Sequence, residues 1–379
     1  MIIRRQLTES ISKFKKSVLL LGPRQSGKST LISSLDPELT INLADEQTHL
    51  DFLRNPSLLR ARIRSQRTIF IDEVQKIPSL LNTVQALIDQ DKRLKFYLTG
   101  SSARKLKRGQ ANLLPGRIVT YDLGPLSLTE LGSKFDLYKL LSLGALPGSF
   151  TEADDHLAKK VLRSYVATYL REEVQAEALT RNLEGFSRFF DVIASRSGDF
   201  VDFSKFSSQA MIERTSARRY FDVLVDTLIL NPVVAYTKSS KRRLVQHPRF
   251  YFFDVGVLNG ALANFEVSSD RIGNLFEHFC LQMILSEAKG RDEEIRLSVY
   301  RTESGAEVDF IVEKGRETFA IEVKATRTIG PHDLRGLKSF ADFFGPKARC
   351  MILYLGENAL KIEGVDVLPI HLGIQAIFD

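Results

Sequence analysis

Three groups of residues in this chain have side chains of the right type and spacing to do chemistry. The first is the run Gly22-Pro23-Arg24-Gln25-Ser26-Gly27-Lys28-Ser29-Thr30, which fits G-x-x-x-x-G-K-[ST]. Its glycines free the backbone to turn so that successive N–H groups point at phosphate oxygens. Lys28 would bridge the β- and γ-phosphates and Ser29 would offer its hydroxyl to Mg²⁺, with Thr30 at the start of the helix that follows. The second group is the acid pair Asp72-Glu73. Asp72 would hold the Mg²⁺ through a water, and Glu73 would polarise a water attacking the γ-phosphate, as a general base. Such a pair marks hydrolysis rather than transfer of phosphate to a bound small molecule. The third group is Asp309, Glu322 and Lys324: a carboxylate pair that can hold a hard cation, beside a lysine that can orient an attacking water.

These residues need elements to position them. "SVLLLG" (17–22), "TINLAD" (40–45), "TIFIDE" (68–73) and "KFYLTGSS" (95–102) are apolar almost throughout, and segments such as 79–90 between them have helical spacing. Apolar strands separated by helices predict a parallel sheet covered on both faces. The phosphate run then follows a buried strand and opens a helix, and the acid pair ends another strand. The strand 95–102 ends in hydroxyls, so Thr99 or Ser101 either senses the γ-phosphate or belongs to a turn. Together the strand ends make a nucleoside triphosphatase.

From about Leu123 the pattern turns helical. Between about Phe186 and Leu262 come a short helix, a turn, a longer helix capped by Thr215 or Ser216, and a strand pair. Arg218 and Arg219 lie in the first turn of the longer helix. Lys238, Lys241, Arg242 and Arg243 lie in the turn of the strand pair. This is the pattern of a winged helix-turn-helix, which reads DNA or serves as a protein-interaction module or rigid connector. Cations at a helix N-terminus oppose its dipole, which favours a functional reason for Arg218 and Arg219.

Near the C-terminus a helix (residues 273–288) precedes three strands, a second helix and a further strand. Glu322 and Lys324 share one strand face because side chains alternate. If "AEVDFIVEK" and "TFAIEVKA" form an antiparallel hairpin, Asp309 reaches the same end as Glu322. Glu307 shares the strand face of Asp309.

Composition bounds the class. At 379 residues the chain is too long for one ordinary core, and 44% hydrophobic with 26% charged residues is the balance of a globular protein. A formal net charge of +7 suits a nucleic-acid partner, though many soluble proteins are mildly basic. Cys280 and Cys350 are the only cysteines, which argues against a disulfide framework. The most apolar stretch, 221–236, is broken by Asp222, Asp226, Asn231 and Pro232, so no membrane span is expected and the chain reads as cytoplasmic.

"LLLGPRQSGKST", "IFIDEVQKIP", "FYLTGSSA" and "GRIVTYDLGPLSLTEL" resemble the bacterial and archaeal AAA-type ATPases that carry a C-terminal domain of unknown function. The resemblance covers nearly the whole chain. It implies ATP with Mg²⁺, and a core with an extra strand between the strands that bear the phosphate loop and the acid pair. It also implies an arginine acting on phosphate, in the same chain or across subunits of a homo-oligomer; Arg117 is the best-placed candidate, with Arg24 and Arg104 behind it. The C-terminal segment resembles the D…E-x-K core of the PD-(D/E)XK nucleases, with Glu277 as the helix acid. That implies a Mg²⁺ site of Glu277, Asp309 and Glu322 with Lys324, and leaves open whether the domain cleaves DNA or is a silent remnant. The downstream helix offers Arg335 and Lys338 where some nucleases have glutamine and tyrosine. The expected fold is therefore α/β: a P-loop AAA-type core (1–122), a helical lid (123–185), a winged-helix unit (186–262) and a restriction-endonuclease-like domain (263–379).

Overall fold

A computed structural model describes residues 3–101, 114–176, 182–236, 247–345 and 347–379, with side chains excluded for 169–176. The chain divides into two compact units: Met1–Leu126 with Asp226–Ile229 and Lys289–Asp292, and Ser127–Val225 with Leu230–Ala288 and Glu293–Asp379.

In the first unit, β1 (Ser17–Leu21), β2 (Leu39–Asn42), β3 (Thr68–Asp72), β4 (Lys95–Gly100) and β5 (Ile118–Asp122) form one parallel sheet in the order β2-β3-β4-β1-β5. The strand β4 lies between the two strands that carry the phosphate loop and the acid pair, as the resemblance implied. Alternation sends Leu19, Leu21, Ile69, Ile71, Phe96 and Leu98 to one face and Val18, Leu20, Phe70 and Tyr97 to the other. Both faces are buried, which is why these strands read as unbroken apolar runs. The fifth strand escapes that reading because it is an edge: Thr120 and Asp122 are exposed, and Tyr121 alone is fully buried in it.

The second unit opens with the helices Leu128–Leu131, Leu137–Leu143, Pro147–Thr151 and Asp155–Ala176, without strands among them. The helices Leu183–Ser195, Phe203–Ala210 and Arg214–Asp226 follow, packed through edge-on rings such as Phe186 and Phe189 on Tyr220 and Phe203 on Phe221. The last of these begins earlier than the sequence pattern predicted. Ala217 N–H donates to Glu213 O at 3.0 Å, so the first helical turn springs from Glu213, and neither Thr215 nor Ser216 occupies the cap.

The second sheet runs β12-β13-β11-β10-β9-β8-β6-β7, from β6 (Leu230–Ala235), β7 (Arg249–Phe252), β8 (Arg296–Arg301), β9 (Glu307–Lys314), β10 (Glu317–Lys324), β11 (Ala348–Tyr354), β12 (Leu360–Ile362) and β13 (Val365–Pro369). The expected β9–β10 hairpin is present, antiparallel, with Phe310 opposite Ile321. Its turn needs the positive φ of Gly315 (58°). β10 then pairs in parallel with β11 across the helix Arg335–Phe344. One feature crosses the expected boundary at 262. β6 pairs antiparallel with β7 through Leu230–Val233, but its end, Val234 and Ala235, pairs in parallel with β8. The strand pair expected as a separate wing is thus joined to the C-terminal sheet, because the last residues of β6 find their backbone partners there.

Candidate phosphate and carboxylate sites

The phosphate loop connects β1 to the helix Lys28–Ser33 at the carboxyl end of the parallel strands. Gln25 (φ 60°) and Gly27 (φ 89°) both take left-handed backbone to close the turn. Gly22 has no room for a side chain, since a Cβ there would lie 2.3 Å from Leu123 O. Lys28 is buried, and its ammonium donates to Gly22 O at 2.9 Å and Pro23 O at 2.8 Å. Burial pulls its pKa down, opposed by the nearby Glu73 and Asp72 carboxylates.

Around that loop the strand ends converge. Ser29 Oγ donates to Asp72 at 2.8 and 3.0 Å, and the Thr99 hydroxyl donates to Asp72 Oδ1. Glu73 has left-handed backbone (φ 60°), an uncommon state for a non-glycine residue that recurs at functional sites. Its N–H donates to Thr99 Oγ1 at 3.1 Å, and its carboxylate accepts from the amide of Gln75. Gln75 also donates to Ser101 Oγ at 3.0 Å, so both hydroxyls of the β4 end belong to the network. The Ser29 hydroxyl and Asp72 carboxylate, hard oxygens in mutual contact, fit a Mg²⁺ ion. Sequence reasoning passed over Gln75. Its signal was weak: a polar residue two positions after the acid pair, in a segment whose neighbours Val74 and Ile77 are core.

Arg117 does not approach this loop in its own chain. It directly precedes Ile118, which is level with Ser17 at the opposite end of β1, and it forks onto Asp89 at 2.9 and 3.0 Å. Arg24 lies near enough to Lys28 to lower its pKa further. Arg104 lies outside the described residues, as do Lys238, Lys241, Arg242 and Arg243. Arg218 and Arg219 are exposed on the Arg214–Asp226 helix, in its second turn and not the first as expected, because the helix starts from Glu213; their guanidinium carbons lie 5.4 Å from the Phe203 ring and 5.5 Å from the Tyr220 ring.

In the second unit the four acidic residues read from the sequence lie close together, and three of them, Glu277, Glu307 and Asp309, gather around a residue the sequence reading missed. Arg249, on β7, donates through Nη1 to Glu277 Oε1 at 2.9 Å and to Asp309 Oδ1 at 3.5 Å, and through Nη2 to Glu307. Tyr251 OH adds a bond to Glu277 Oε1 at 2.5 Å, and Val323 N–H donates to Asp309 Oδ2 at 2.9 Å. Lys324 Nζ pairs with Glu322 Oε1 at 2.8 Å, while Glu322 Oε2 is buried with no hydrogen-bond partner. Burial and the Asp309 charge push Glu277 up to about 7 and Glu322 up to about 8, against the pull of Arg249 and Lys324 respectively. Asp309 is raised by burial too. The donor set does not fit a resident Mg²⁺: among the described residues no three His, Cys, Asp or Glu side chains are placed to hold a metal, and a guanidinium stands where they meet. The only hint in the sequence was an arginine opening the aromatic run "RFYFFD".

Comparison with known proteins matches three successive segments of the chain. The profile of an AAA domain matches residues 14–132, that of a domain of unknown function (DUF8612) matches 134–269, and that of another (DUF4143) matches 272–372. An uncharacterized protein of Mycobacterium tuberculosis is 27% identical over 91% of this chain and 78% of its own length. One of Haemophilus influenzae is 22% identical over 97% of both. Among solved structures, a signal-transduction ATPase with a tetratricopeptide repeat sensor from Pyrococcus horikoshii aligns over 76% of this chain and 45% of its own, at 14% identity and a TM-score of 0.24. A DNA polymerase III gamma subunit-related protein of Thermotoga maritima aligns over 58% of this chain and 97% of its own, at 12% identity and TM-score 0.24. Both likenesses are too slight to bear on fold or function. No helix among the described residues is long and apolar enough to cross a membrane. The phosphate loop and acid pair lie inside the AAA match and the β8–β11 sheet inside the DUF4143 match, so the chain combines an AAA domain with this C-terminal domain of unknown function, as the sequence resemblance implied.

Proposed function

We propose that the chain hydrolyses ATP and couples hydrolysis to nucleic acid. The observation that carries the first half is the convergence of Ser29, Asp72, Glu73 and Thr99 in one hydrogen-bonded set at the loop. Lys28 would exchange the Gly22 and Pro23 carbonyls for β- and γ-phosphate oxygens, a stronger charge-assisted pairing. Ser29 and Asp72 would hold Mg²⁺, which neutralises charge on the phosphates. Glu73, freed from Gln75, would take the proton of the attacking water. Thr99, bonded to both Asp72 and the Glu73 backbone, would carry the loss of the γ-phosphate into β4. The test is Mg²⁺-dependent phosphate release by the full chain: Glu73→Gln should retain ATP binding and lose turnover, and a fully active Glu73→Gln would sink the reading.

Nucleic acid is the partner favoured by the exposed Arg218 and Arg219 and by the net positive charge. Gel shifts with single-stranded, double-stranded and branched DNA test it; absence of affinity at low salt would remove DNA from the account. A second reading has its own support. Arg249 lodged among the carboxylates favours an ATP-controlled protein-interaction switch whose nuclease-like domain is silent. A stoichiometric protein partner whose capture differs between ATP and ADP would decide for it.

A further inference from the structure

The acids that the nuclease resemblance assigns to a metal ion are already serving a cation. Arg249 reaches Glu277, Glu307 and Asp309 at once, one from the helix Ile272–Arg291 and two from β9. Its side chain is only 13% exposed. The Phe200 ring lies 5.0 Å from the guanidinium carbon, and Phe200 is bridged to Arg249 through the backbone. The β6–β7 pair fixes it there, with Tyr251 two residues on packed against Phe310 of β9 at 5.8 Å. This is a built position: a forked donor, desolvated on one side by an aromatic ring, meeting three carboxylates from two elements.

We propose that Arg249 is the resident cation of the carboxylate cluster and excludes divalent metal from it. Two like charges cannot share the space between Glu277 and Asp309, so a divalent ion could enter only if the guanidinium left. Leaving would strip Arg249 of three carboxylate partners. Lys324 meanwhile stays on Glu322 Oε1, and a substituent on Gly336 would meet Glu307 O at 1.8 Å, so backbone walls the cluster from that side as well. The inference deepens the second reading of function, since a cluster closed to metal is silent for metal-dependent cleavage. It is independent of whether the protein hydrolyses ATP or touches DNA.

The test counts Mn²⁺ bound to the full chain without nucleotide, from the free-ion paramagnetic resonance signal, in an Asp72→Asn background that removes the metal-holding carboxylate of the ATPase site. With Arg249 intact, adding Asp309→Asn should leave the number of bound ions unchanged. Arg249→Met should add one bound ion, which Asp309→Asn then removes; Arg249→Gln, neutral but still able to donate, should behave likewise if the methionine variant folds poorly. A variant that folds only when Mn²⁺ is present also supports the proposal. An Asp309-dependent ion bound while Arg249 is in place would overturn it, as would folded Arg249→Met and Arg249→Gln proteins that gain no ion. The ion count concerns the second unit alone, and ATP turnover is read separately with Asp72 intact, so failure here is separable from failure of the ATPase reading.

Discussion

The phosphate loop and the carboxylate cluster each set largely half-buried acids beside a cation that is mostly withdrawn from water, and they pair them in opposite ways. In the first unit Lys28 spends its ammonium on the carbonyls of Gly22 and Pro23, while Asp72 and Glu73 accept bonds from the hydroxyls of Ser29 and Thr99 and the amide of Gln75. Neutral donors are exchanged at a cost of about 1 kcal/mol each. In the second unit the acids take their bonds from a guanidinium, and separating those leaves uncompensated buried charge. The first arrangement waits for phosphate and metal to arrive. The second is complete without them.

The largest effect tests the waiting site. Glu73→Gln should lower ATP turnover by roughly 100-fold or more, the usual worth of a positioned general base, with binding of a fluorescent ATP analogue preserved. Turnover within a few-fold of the parent would mean that Glu73 is only a structural partner of Gln75. Stability should then separate the two cations. Arg249→Met should cost the second unit about 3–5 kcal/mol, as for breaking a buried ion pair, whereas Lys28→Met should leave the melting temperature nearly unchanged because it removes a desolvated charge that hydrogen-bonds to carbonyls and has the Glu73 and Asp72 carboxylates near but not bonded to it. Comparable losses in thermal melts would erase the distinction.

A smaller effect is a slope with pH. Glu322 sits with its pKa raised from 4.5 to about 8, by burial first and then by Asp309. A carboxyl raised on folding stabilises fully below its unfolded pKa and loses that contribution as pH rises through its folded one. Denaturant melts should therefore show stability falling between about pH 4.5 and 8, by on the order of 3 kcal/mol. Glu322→Gln should flatten the slope, and an unchanged slope would assign it to other groups. The smallest effect is expected at Gln75, which reaches the site through its bonds to Glu73 and Ser101. Gln75→Ala should change turnover by roughly 10-fold or less through Glu73, with Gln75→Glu failing to rescue it because two carboxylates would then oppose each other. A loss as large as that of Glu73→Gln would make Gln75 part of the reacting set.

The first unit was the more legible because its chemistry is local. The loop residues lie within one short run, the acid pair ends a strand apolar enough to announce itself, and β4 displays its hydroxyls at the end of a third such strand. The edge strand β5 escaped because half its side chains face away from the core. In the second unit the hairpin of β9 and β10 was legible from alternation, and it did bring Asp309 to the end that holds Glu322. The attachment of β6 to β8 was not, since backbone pairing at Val234 and Ala235 leaves no mark on side-chain type.

The sequence by itself determined that this protein has a phosphate loop, an acid pair to work with it, and a set of acids near its C-terminus. Each is a short-range pattern, set by backbone freedom at glycine or by the alternation of a strand. Only the tertiary structure decided which donors each set of acids keeps. Arg249 lies 28 residues from Glu277 and 60 from Asp309 in the chain. Nothing in those separations brings them together; the pairing of β6 with both β7 and β8 does, and the exclusion of water beside Phe200 makes the resulting ion pairs hard to part.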